Sequence, residues 1–113
     1  MSAQAGRHLW VAQRVTAMFL GVAVLVHLVT IMVAVRGGLT AAEILARTQG
    51  ATLWFAFYVA FALAAGLHGA IGLRNIAMEW LGWRGRGFDL AWLGIGLLTA
   101  AFGVRAAWGL YAN

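Results

Sequence analysis

Three apolar runs, each long enough to cross a bilayer, constrain this chain more than any other feature. A helix needs about 20 apolar residues to span the hydrocarbon layer. The first run covers 15–35, between Arg14 and Arg36, and its only ionisable side chain is His27. The second covers 51–73 and its helix is expected to continue to about 78, beyond Arg74; besides Tyr58 its apolar stretch holds one titratable group, His68. The third covers 90–112, with Arg105 near its far end, where a guanidinium can snorkel to the interface. Uninterrupted runs of this length do not alternate as barrel strands do. The expected fold is an all-α membrane protein, one domain over 1–113 with three transmembrane helices at about 15–35, 51–78 and 90–112. No soluble domain or repeat is evident, so the bundle is expected to be completed by a partner chain. A cleavable signal peptide is a competing reading of the first run. That run is longer than a usual signal core and no A-x-A site follows before charge returns, so it is expected to be retained.

Composition agrees. Hydrophobic residues make up 64% and charged residues 10%, with a mean hydropathy of +0.87. A soluble domain of this size could not hide that much apolar surface. With no cysteine, disulfides, thiolate metal sites and cysteine nucleophiles are excluded. The net charge of +5 comes from arginine and would suggest nucleic acid in a soluble chain. Here the arginines sit at the ends of apolar runs and read as topology markers and headgroup anchors, so the partner is the lipid bilayer and not nucleic acid. Arg7, Arg14, Arg74, Arg84 and Arg86 fall on one side and Arg36, Arg47 and Arg105 on the other. That bias puts the N-terminus inside. In the first loop, Thr40 followed by Glu43 has the spacing of a capping box, which would start a short amphipathic surface helix; the plainer reading is a surface connector.

Ionisable groups inside a membrane are functional hypotheses, because lipid tolerates them at a cost. His68 lies six residues before Arg74, roughly 9 Å from the inner boundary, and His27 thirteen residues after Arg14, roughly 20 Å from it. They are not expected to share one metal within a single chain. At about 100° per residue, Gln13, Thr16, Leu20, Ala23, His27, Thr30 and Ala34 form one stripe, which should face protein or cofactor. In the second helix Ala64, Ala65, His68 and Gly72 share a face, with Phe61 one turn further out. Small residues around a histidine leave a flat groove in which a porphyrin could lie with imidazole on iron. The same residues also permit close helix packing, for example through Ala65 and Gly69. For each histidine the alternative is a structural imidazole bonded to a threonine or a carbonyl. Arg14 and Arg74 could pair with haem propionates, or serve only as anchors.

At this point the sequence resembles a family. The run His68-Gly69-Ala70-Ile71-Gly72-Leu73-Arg74-Asn75, with Glu79 following, is similar to the second-helix signature of the cytochrome b membrane anchors of succinate dehydrogenase and fumarate reductase. Gln13-Arg14-Val15-Thr16 resembles the anchor segment [HS]-R-x-[ST]-G that lines the quinone pocket, with Gln13 where His is common and Ala17 where Gly is usual. His27 resembles the first-helix histidine of the larger two-haem anchors.

The resemblance implies a haem b-binding anchor subunit of succinate:quinone oxidoreductase, with no dicarboxylate chemistry on this chain. It would dock an iron–sulfur subunit and a flavoprotein subunit in company with a second membrane anchor chain, in the bacterial cytoplasmic membrane. His68 would ligate an inner haem and His27 an outer one, with Arg74 near a propionate. Arg14, Thr16 and Gln13 would bind quinone, and the basic second loop would meet the iron–sulfur subunit. Haem count, one or two, stays open. Two other readings remain at this stage. One is a haem-binding subunit of another respiratory complex, though such subunits usually have four helices. The other is a non-redox membrane protein with structural histidines.

Overall fold

The computed structural model describes residues 2–112 as four helices: α1 Ala3–Gly37, α2 Ala41–Thr48, α3 Thr52–Leu81 and α4 Arg86–Ala112. No strand occurs among the described residues. α1, α3 and α4 are each long and apolar enough to cross a membrane. The bundle is 49 Å long and 23 Å across, close to a bilayer with its headgroup layers. Large apolar side chains such as Met18, Leu25, Leu53, Phe102 and Trp80 point outward, and among the described residues no large side chain is fully buried. In water this would be a poor core; in lipid it is the ordinary arrangement.

The helices outrun the apolar stretches. α1 begins at Ala3 because Ser2 caps it, its hydroxyl oxygen accepting from the Ala5 N–H at 3.1 Å. α4 begins at Arg86, four residues before the apolar run, and Asp89 lies in its first turn, where the helix dipole favours an acid. Arg86 is therefore helical, and the second loop shrinks to 82–85.

α3 is central and packs against both α1 and α4. The α3–α4 seam is built from small residues. A Cβ on Gly66 would stand 2.6 Å from the Gly96 carbonyl oxygen, and one on Gly96 2.8 Å from the Ala70 Cβ. Ala62 fills the same role against Gly103. This corrects the expected pairing: the close approach runs through Ala62, Gly66 and Ala70, whereas Gly69 has open space around its Cα.

The first loop is a helix, not a mere connector. Thr40 and Glu43 form the reciprocal capping box of α2. The Thr40 hydroxyl and backbone N–H both donate to the Glu43 carboxylate, at 2.6 and 3.0 Å. These bonds, with the charge of Arg47, hold its carboxyl below the usual carboxylate range. The Arg47 guanidinium donates to the Gly38 carbonyl, closing the C-terminal end of α1. The Gly50 N–H donates to the Tyr111 carbonyl at 2.9 Å, tying the loop to the end of α4.

Candidate functional site

Both intramembrane histidines lie between α1 and α3. From residue 14 to 36 the only shielded positions of α1 are Thr16, Leu20, Ala23, His27, Thr30 and Ala34, which is the stripe expected from helical periodicity. Gln13, one step earlier on the stripe, is also shielded and reaches Gly72 of α3: a Cβ there would meet its amide nitrogen at 3.2 Å.

His68 meets α1 at Thr16. The Thr16 Oγ1 lies 3.1 Å from His68 Nδ1, and the residue is only 8% exposed. The same hydroxyl also faces the carbonyls of Ala12 at 2.7 Å and Gln13 at 3.1 Å. His27 meets α3 at Tyr58, with the phenol oxygen 3.5 Å from Nδ1, and at Phe61, both rings edge-on to the imidazole. No hydrogen bond involves either Nε2 among the described residues. The two imidazoles are well separated: Tyr58 and His68 are ten residues apart on α3, a rise of about 15 Å. Among the described residues no group of three or more histidine, aspartate or glutamate side chains that could hold a metal ion occurs.

Each histidine sits toward one end of the bundle, and each end has a cleft. At the N-terminal end a cleft of about 400 Å³ is lined by Trp10, Gln13, Arg14, Arg74, Asn75 and Met78 among others. Arg14 is exposed and lies over the Trp10 ring, 5.2 Å from its centroid. The Gln13 amide oxygen is buried without a hydrogen-bond partner among the described residues, an arrangement that costs free energy unless a ligand or water supplies the donor. Thr16 does not line this cleft. Arg74 does, and its Nε also donates to Asp89 at 2.8 Å, with the arginine side chain 11% exposed and the aspartate 48%. At the α2 end a larger cleft of about 730 Å³ opens between α1 and α4, its lining including His27, Trp54, Tyr58, Phe61, Gly103 and Arg47.

The partners not anticipated from sequence include Tyr58 for His27 and Asp89 for Arg74. The second had a usable signal, since an acid just past a short loop faces the last turns of the preceding helix in a hairpin. Gln13 and Arg14 are brought together at one cleft, and Thr16 is brought to His68 instead.

Compared with known proteins, residues 1–104 match the family model for the succinate dehydrogenase/fumarate reductase transmembrane subunit. No curated protein and no solved structure gave a match.

Proposed function

The chain belongs to the family of succinate dehydrogenase/fumarate reductase transmembrane subunits, and from this premise we propose that it is a haem b-binding anchor that helps pass electrons to quinone at the cleft of its N-terminal end. The observation that carries the reading is that cleft: an orphaned buried acceptor on Gln13 beside the cation of Arg14, within a turn of the residue that meets His68. Arg14 orients a quinone carbonyl by donating to it and favours the negative charge that reduction places there. The Gln13 oxygen takes the O–H of the reduced ring, which removes the cost of its own burial. Trp10 and Met78 shield the ring from water.

His68 and His27 suit iron ligation. Each is engaged through Nδ1 by the facing helix, with Nε2 bearing no other bond among the described residues. Each site offers one imidazole from this chain, and a further ligand would come from the partner anchor chain. Haem b, when bound, supplies a one-electron relay near the quinone. Arg74, beside the first cleft, would face a propionate from its ion pair with Asp89. Arg84 and Arg86 at the same end are suited to meet the iron–sulfur subunit, which the flavoprotein subunit supplies with electrons. This end is inside by the arginine bias, in a bacterial cytoplasmic membrane.

Haem content tests the reading. The purified complex should hold two haems, with His68→Ala and His27→Ala each reducing this to one. A parent with one haem, unaffected by His27→Ala, would make His27 a packed polar residue. Absence of haem from the parent complex would overturn ligation by both.

A further inference from the structure

We infer that Thr16 is the positioning residue of His68: its hydroxyl oxygen accepts a proton held on Nδ1 and so fixes the tautomer that leaves Nε2 as a ligand. The inference rests on the haem reading above and moves Thr16 out of the quinone site that its neighbours Gln13 and Arg14 form.

The argument is a proton count. A threonine hydroxyl has one proton and two lone pairs. Three groups surround Thr16 Oγ1: the Ala12 carbonyl at 2.7 Å, the Gln13 carbonyl at 3.1 Å and His68 Nδ1 at 3.1 Å. Both carbonyls can only accept, and the bond to Ala12, four residues back, is the common helical one. With the proton on a carbonyl, Oγ1 presents a lone pair to Nδ1, which must then carry the ring N–H. The opposite assignment would turn the hydroxyl away from both carbonyls. It would also put the imidazole proton on Nε2, where no acceptor stands among the described residues. The bond to Ala12 further polarises the oxygen, making it the better acceptor. Burial of Thr16 keeps water from competing. Nδ1 donation of this kind sets ring orientation and raises ligand basicity.

The test uses the assembled complex. Thr16→Val removes the hydroxyl at nearly constant shape, and Thr16→Ser keeps it. Thr16→Val should shift the midpoint potential of the haem on His68 to more positive values, because a less basic imidazole stabilises the oxidised iron less. It should also weaken haem retention, by about 10-fold or more. The KM for quinone should hold, and Thr16→Ser should behave as the parent. An unchanged potential together with a raised quinone KM would overturn the inference and return Thr16 to the quinone site. The parent supplies a second readout that does not depend on the variants assembling: ¹⁵N NMR of the reduced complex should find Nδ1 of His68 protonated, and a bare Nδ1 would overturn the inference. A parent without haem overturns the haem reading as well, whereas a haem indifferent to Thr16 overturns this inference alone.

Discussion

Arg14 is exposed at the lip of the N-terminal cleft, steadied by the Trp10 ring beneath it. A cation–π contact at such a site is worth about 0.5–1 kcal/mol, enough to bias the rotamer while leaving the donors available. Removing a charged donor to a substrate oxygen costs about 1.5–3 kcal/mol, or about 10- to 100-fold in rate. Arg14→Ala should therefore slow quinone reduction by that factor while succinate oxidation by a soluble acceptor continues; equal loss of both activities, with normal assembly, would remove Arg14 from the quinone site. Gln13, Arg14, His27 and His68 stand out in the sequence because polar groups on or beside apolar helices are few. The partner of each does not. Thr16 reads with Gln13 and Arg14 along the chain, yet its bond to His68 joins residues 52 positions apart and exists only once α1 and α3 pack. Arg74 looked available for an anion until α4, starting before its apolar run, brought Asp89 to it.

Helix existence and the shielded stripe of α1 follow from length and period, whereas the Thr40–Glu43 spacing offered α2 only beside the plainer reading of a surface connector. Which small residues form the α3–α4 seam did not follow, because several faces of α3 carry Ala or Gly and only rotation about the axis selects one. The seam gives a paired test on α4. Gly96→Ala pushes a methyl to 2.8 Å from Ala70 and should cost about 1–3 kcal/mol, read as a lower unfolding midpoint of the purified complex. Gly94→Ala, two residues away with nothing within 4 Å, should be neutral or slightly stabilising through helix propensity. Equal effects from the two would mean that the seam does not limit stability.

At the scale of the molecule, α2 with Arg36 and Arg47 lies at one end and the 82–85 loop with Arg84 at the other. A cysteine at Thr48 should label from outside intact cells and one at Gly85 should not; the reverse would place the N-terminus outside and move the proposed quinone cleft to the outer face. The bundle leans on α3, and α1 meets it through the polar contacts Thr16–His68 and Tyr58–His27. These lie eleven residues apart on α1 and ten on α3, running in opposite directions. A one-residue slip would move one helix about 1.5 Å and turn its side chains about 100°, breaking both contacts together. The two imidazoles thus key the register of α1 on α3 as two pins key a pair of plates. An insertion between Thr16 and His27 would seat one pin and leave the other out of its hole, so the spacing between the two candidate ligands is written into the residue count before any cofactor arrives.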